Sequence, residues 1–290
     1  MMKKQFFISP YTLVFIHMPK AAGCTLQRII DRQYRGQKTF DIDGNGIANV
    51  QASIDRLRSL SEAERTAIRC VKGHVPFGVG QWLQSPVQYI SMLREPVARA
   101  VSDYNYAVSN PEHTLYREVN EKGISLLQYV EMRAQSGLDN LYTRMLSGCV
   151  NWENLMLSGA LSQDTLEIAK DNVRKCAVVG ITERFDESIL LFKEKLGWSS
   201  CYYVRENVTP SIRINRNQVS SYVEKAIKEY YLLDIELYRY CLEIFDENIQ
   251  RAGRDFQVEL AEFGRTNSDY HKRHASTSLP ISICCINKGN

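Results

Sequence analysis

Residues 13 to 30, Leu-Val-Phe-Ile-His-Met-Pro-Lys-Ala-Ala-Gly-Cys-Thr-Leu-Gln-Arg-Ile-Ile, set an apolar strand, a short turn and an amphipathic helix in immediate succession. Leu13 to Ile16 is short, branched and continuously apolar, the pattern of a buried strand, while Leu26, Ile29 and Ile30 return at helical spacing. The turn between them carries Pro19, Lys20 and Gly23. Gly23 allows close approach of the backbone, so the amides of Ala22, Gly23, Cys24, Thr25 and Leu26 are expected to converge on an anion at the positive end of the helix. Lys20 supplies a movable charge beside them. A phosphate-type ligand is therefore the first expectation.

The order of residues sets two familiar phosphate loops aside. A Walker A loop needs Gly-x-x-x-x-Gly-Lys-Ser/Thr, and here the lysine precedes the glycine. A phosphatase loop pairs a Cys with an Arg six positions on, and six beyond Cys24 stands Ile30. Further along, Val87-Gln-Tyr-Ile-Ser-Met-Leu93 reads as a second buried strand. Arg94-Glu-Pro-Val-Ala-Arg-Ala-Val-Ser102 then opens a helix with Pro96 in its first turn, where a missing N–H costs nothing. Arg94 offers a planar fork of donors to phosphate oxygens, and Ser102, two turns into the helix, can face the same site.

Both segments resemble those of the sulfotransferases that use 3′-phosphoadenosine 5′-phosphosulfate (PAPS), nearest the heparan sulfate 2-O/6-O-type glycan branch and its bacterial relatives. The loop of that branch is close to Phe-Ile-His-Ile-Pro-Lys-Thr-Ala-Gly-Thr-Thr-Leu. This chain keeps Pro19, Lys20, Ala22, Gly23, Thr25 and Leu26, and departs from it at Ala21 and Cys24, where Thr is usual. In the family an Arg at a strand end and a Ser eight positions later hold the 3′-phosphate, a spacing that Arg94 and Ser102 share. Val71-Lys-Gly-His-Val-Pro-Phe-Gly78 is similar to the segment carrying the family's histidine base, which maps to His74. Residues 139–148 and 177–190 also resemble family blocks, and Val204-Arg-Glu-Asn-Val-Thr209 resembles a late cofactor loop, making Arg205 and Thr209 further contacts.

The resemblance implies an α/β, three-layer P-loop-like fold with a central parallel sheet flanked by helices, spanning residues 1–264. It implies PAPS as co-substrate and release of 3′-phosphoadenosine 5′-phosphate (PAP) after in-line displacement at sulfur. Lys20 and the loop amides would stabilise charge growing on the leaving group, and His74 would take the acceptor's hydroxyl proton. The acceptor class is a glycan or a polar small molecule, a natural product such as a saxitoxin-type alkaloid among them. No metal is expected, because the transferred group carries less charge than a phosphoryl group and no acidic metal-binding motif is present. Two other classes stay open: a P-loop-like nucleotide kinase or hydrolase, which would need a Mg²⁺-binding Ser/Thr and an acidic partner, and a non-catalytic nucleotide-binding protein.

Composition is compatible with one enzyme-sized domain. At 290 residues and 44% hydrophobic content the chain can bury a large core. A net charge of +3 supports a local basic pocket and no broad polyanion-binding face, so nucleic acid is not an expected partner. The two N-terminal lysines precede an apolar patch too brief for a signal-peptide core, and no stretch reaches the length of a membrane span. A cytoplasmic protein without membrane association is expected, and the missing Golgi anchor suggests a bacterial relative. Eight cysteines lack Cys-x-x-Cys spacing, which argues against a zinc site and, in the cytosol, against disulfides.

The remaining pattern predicts a loop over Gln37 to Asn49, a helix opened by the capping box Ser61–Glu64, a strand over Arg69 to Lys72 and a mostly helical middle ending at Gly148. Further on it predicts a helix capped by Asp164, a strand over Ala177 to Ile181, a helix that Asp186 caps and Gly197 ends, and a last strand over Cys201 to Val204. Val219 to Gln250 carries an apolar helical stripe, and Arg265 to Asn290 reads as a peripheral or disordered tail. His17 reads as a packed strand histidine, Cys24 as a small loop side chain. His113, His271 and His274 lack ligand spacing.

Overall fold

A computed structural model describes residues 10–44, 47–148, 161–205 and 213–274. Five strands, β1 (Thr12–Ile16), β2 (Lys38–Ile42), β3 (Ile68–Gly73), β4 (Val87–Leu93) and β5 (Cys176–Ile181), form one sheet in the order β2-β3-β1-β4-β5, and every neighbouring pair is parallel. Helices flank this sheet, giving the expected α/β architecture. All five residues of β1 are buried, as a central strand covered on both faces requires. Its register aligns Ile16 with Gly73 on one side and Ser91 on the other. Side chains lock the same strands: the Thr12 hydroxyl donates to the Ile68 carbonyl at 3.0 Å, and the Ser91 hydroxyl to the Ile16 carbonyl at 2.9 Å.

The expected loop over Gln37 to Asn49 instead contains edge strand β2 and the start of the Ile47–Ser59 helix. Lys38 and Thr39 are exposed while Phe40 and Ile42 are buried, so only two side chains of β2 carry a strand signal. Asp41 stays on the strand because Lys72, itself buried, bridges it at 3.1 Å and Asp31 at 2.6 Å. The reading of Cys201 to Val204 as a strand is corrected, since its backbone bonds run to side chains. The Arg32 guanidinium donates to the Tyr202 carbonyl, and the Tyr203 N–H donates to the Asn267 side chain at 2.8 Å.

The Ser61–Glu64 capping box forms as expected. The next predicted cap moves: Ser162, paired with Thr165, opens the Gln163–Lys175 helix, and Asp164 lies in its first turn. The Phe185–Leu196 helix follows a short 3₁₀ turn over Thr182–Arg184, so Asp186 sits inside it, and Gly197 ends it with φ 66°. Ten residues of the segment read as a tail belong to the Arg254–His274 helix, whose Asn267 is buried against Tyr203. No helix among the described residues is long and apolar enough to cross a membrane.

A second apolar cluster sits beside the main core. The Pro96–Ser109 and Leu126–Gln135 helices contribute Val97, Tyr104, Tyr129 and Val130, and Ile227 comes from the Ser221–Tyr230 helix. This cluster fixes the face of the Pro96–Ser109 helix that meets the turn after β1.

Candidate functional site

β1 and β4 are neighbours, yet the chain leaves β1 towards β2 and leaves β4 towards β5. Connections that depart in opposite directions open a crevice beyond the carboxyl ends of the two strands, where open α/β sheets take their ligands. The turn after β1 and the Arg94 segment after β4 both border this crevice.

Lys20 and Ala22 hold φ values of 61° and 56°, in the left-handed region that non-glycine residues adopt only when their surroundings fix it. Ala22 is the N-cap of the Gly23–Gln33 helix and offers no side chain to the first-turn amides, and that turn has no acidic residue. The helix terminus is therefore suited to an external anion. Thr25 and Leu26 are buried and Cys24 is half-buried; the expected Leu26 contact is corrected, since its amide donates to the Ala22 carbonyl at 3.3 Å as the first bond of the helix, and the amides left for a ligand would be those before it. Gly23 is also constrained from inside the protein. A Cβ there would stand 2.0 Å from His17 Cδ2, so the close approach it permits is to an imidazole ring.

That ring is held firmly. His17 is buried, its N–H donates to the Gly73 carbonyl at 2.8 Å, and its imidazole stacks between Phe15 at 5.3 Å and His74 at 4.7 Å. His74 Nδ1 lies 2.7 Å from the His17 carbonyl oxygen. A carbonyl only accepts, so Nδ1 carries the proton and neutral His74 presents a lone pair at Nε2. His74 is half-buried, and desolvation, with the neighbouring His17, pushes its pKa down to about 4. It is thus unprotonated near neutral pH, the state a proton acceptor needs.

Arg94 reaches the turn directly: its Nη1 donates to the Lys20 carbonyl at 3.4 Å, and its Nε lies 4.0 Å from Glu183 Oε1. The Tyr142 hydroxyl accepts from the Arg94 N–H at 3.1 Å and donates to the Arg94 carbonyl at 3.0 Å, fixing the backbone from which the guanidinium projects. Glu183 also accepts the Glu95 N–H at 3.1 Å and a hydrogen bond from the Tyr238 hydroxyl at 3.0 Å. The Glu95 carboxylate in turn caps the Pro96–Ser109 helix through the Val97 and Ala98 amides, at 3.1 and 2.7 Å. That terminus already holds an anionic group, so an anion at Arg94 depends on side chains.

Ser102 lies one helical turn before Tyr106, and the Lys20 ammonium stands 3.7 Å above the Tyr106 ring centroid. Lys20 and Arg94 thus meet at the turn, while Ser102 is half-buried on the helix that carries Tyr106. Arg205 is exposed beside the Tyr203 phenol, which donates to Asp186 at 2.6 Å. Thr209 lies outside the described residues.

The fold also brings in Tyr106, Asp103 and Arg133, which sequence reasoning missed, and His113, which it set aside for want of ligand spacing. Burial works against the Asp103 carboxylate, but Arg133, Arg99 and Lys20 outweigh it and hold its pKa below the ordinary range. Asp103 accepts from the Tyr129 hydroxyl at 2.9 Å and lies 3.5 Å from Arg133. His113 packs edge-on against Tyr106, and its Nδ1 accepts the Leu115 N–H at 3.1 Å. Neutral His113 therefore carries its proton on Nε2 and presents a donor there, the opposite of His74. The i, i+4 pairing of Ser102 with Tyr106 was visible in sequence, but nothing local marked the lysine that would cover the ring. Among the described residues no group of three or more His, Cys, Asp or Glu is placed to hold a metal ion.

No family model matches the chain, and no curated protein matches it. Among solved structures it is similar to mouse sulfotransferase SULT7A1 complexed with PAP, at 14% identity over 87% of this chain and 88% of that chain, with a TM-score of 0.25.

Proposed function

We propose that the chain is a PAPS-dependent sulfotransferase acting on a hydroxyl of a glycan or a polar small molecule. The observation that carries this reading is the 3.4 Å hydrogen bond from the Arg94 guanidinium to the Lys20 carbonyl, which joins two phosphate-type segments at one crevice. One cationic segment would suit any phosphate; two at the ends of adjacent strands suit a ligand with separate phosphate groups. The donor set fits such a ligand: a side-chain-free helix N-cap, Lys20 and Arg94.

PAPS would supply an activated sulfuryl group on a nucleotide leaving group. The amides of Ala22, Gly23, Cys24 and Thr25 and the Lys20 ammonium would bind its 5′ end, where negative charge grows as the S–O bond breaks. Arg94 and Ser102 would hold the 3′-phosphate, with Arg205 and Thr209 as outer contacts. His74 Nε2 would accept the hydroxyl proton as the acceptor oxygen bonds to sulfur, and its Nδ1–H bond to the His17 carbonyl would keep that nitrogen facing the acceptor. Nearby phosphate charge favours imidazolium, so ligand binding would raise the basicity of His74 from its ligand-free value.

Thermal unfolding with PAP, AMP and ATP plus Mg²⁺ at equal concentration tests the reading. PAP is expected to stabilise most, because it alone fills both sites. Greater stabilisation by ATP plus Mg²⁺ would overturn the proposal in favour of a kinase or nucleotide hydrolase.

A further inference from the structure

The ammonium of Lys20 rests on an aromatic face, 3.7 Å from the Tyr106 centroid, while its own backbone is held in the left-handed region. We propose that Tyr106 is a positioning residue for Lys20, holding its charge over the ring and ready for an anion in the crevice. This rests on the reading of Lys20 as the group that meets the leaving phosphate.

The chemistry of the platform supports the role. A ring face attracts a cation through its quadrupole without neutralising it, so the full positive charge stays available. A carboxylate in the same place would fix Lys20 equally well but would oppose the approach of a phosphate. Asp103, on the same helix, accepts from the Tyr129 hydroxyl at 2.9 Å and pairs with Arg133 at 3.5 Å, so it acts on Lys20 as one charge among several, whereas the ring lies directly beneath the ammonium. His113 closes the edge of the ring at 5.6 Å and limits its rotation. Tyr106 is anchored by its helix, which also carries Ser102, so lysine and hydroxyl are set relative to one another by a single rigid element.

The test uses the full chain after reductive ¹³C-methylation of its lysines. Lys20, identified by the signal missing in Lys20→Arg, is expected to be displaced upfield by the ring current of Tyr106. The displacement should persist in Tyr106→Phe and vanish in Tyr106→Leu and in Tyr106→Met, the second non-aromatic variant guarding against a folding defect in the first. PAP affinity should fall about three- to tenfold in Tyr106→Leu, stay within about twofold in Tyr106→Phe, and show no further loss when Tyr106→Leu is added to Lys20→Ala. An undisplaced Lys20 signal in the wild type overturns the proposal, as does a Tyr106→Leu effect that persists without Lys20. If the wild type binds no PAP, the nucleotide reading fails on its own, and the ring-current comparison of the three Tyr106 variants still decides the placement.

Discussion

Replacing His74 with Asn should remove a specific pH dependence from the protein's stability. Asn keeps an N–H that can donate to the His17 carbonyl, so the variant loses the titrating ring and the stack on His17 while retaining the bond. In the unfolded chain the imidazole takes up a proton near its ordinary 6.5, but in the folded chain only near pH 4, because burial and His17 disfavour the cation. Between those values the unfolded state binds the extra proton, so stability is full above 6.5 and is lost as pH falls towards 4. At about 1.4 kcal/mol per pH unit the whole interval amounts to no more than about 3.5 kcal/mol, an upper bound because His74 keeps part of its surface in water. Urea unfolding of both proteins, in steps from about pH 7.5 to about pH 4.5, isolates the effect, since carboxylates common to both cancel in the difference. The wild type should lose stability faster than His74→Asn across that range. Parallel curves would refute the depressed pKa, and with it the argument that His74 is a neutral, ready acceptor.

Arg94→Ala should weaken PAP binding by roughly 1.5–3 kcal/mol, whereas Lys20→Ala should lower turnover more than PAP affinity, and equal losses in Lys20→Ala would remove it from the chemical step. Gly23→Ala puts a Cβ 2.0 Å from a His17 ring that Phe15 and His74 prevent from moving, so calorimetry should find a loss of about 1–3 kcal/mol, and an unchanged melting temperature would contradict the stacked arrangement. Asp234→Ala should cost about 3–5 kcal/mol, because Asp234 is fully buried, accepts the Tyr142 and Thr143 amides at 3.1 and 2.8 Å, and lies 3.7 Å from buried Arg99; a loss under about 1 kcal/mol in denaturant titration would show the pair to be dispensable.

The parts of the fold legible in sequence are those whose signal is local. β1 and β4 are apolar runs because the sheet is covered on both faces, and the glycine at position 197 ends its helix by adopting the left-handed conformation. β2 was hidden because an edge strand shows only Phe40 and Ile42 to the core, and its Asp41 is tolerated through a lysine thirty-one positions later in the chain. Cys201 and Tyr203 imitate a strand because they are buried, yet Arg32 and Asn267 occupy the backbone positions a neighbouring strand would take. At the candidate site, strand–turn–helix order made Lys20 and Arg94 conspicuous separately. Their meeting follows from the sheet order, and the meeting of Lys20 with Tyr106 from the packing of a separate helical cluster. No short window of sequence contains either relation.

The sheet order also bears on how the protein must be made. Of the five strands β1 leaves the ribosome first, but both of its neighbours, β3 and β4, are encoded well downstream, beyond β2 and the two helices that follow it. At about 5–20 residues per second, several seconds pass in which the four strongly apolar residues Leu13 to Ile16 have neither edge paired. A nascent chain stalled before Val87 would present one open edge of its most hydrophobic strand, a ready template for another chain. The arrangement that opens a crevice in the finished molecule therefore leaves the central strand in need of protection during synthesis, and makes amino-terminal fragments ending before β4 poor candidates for isolated study.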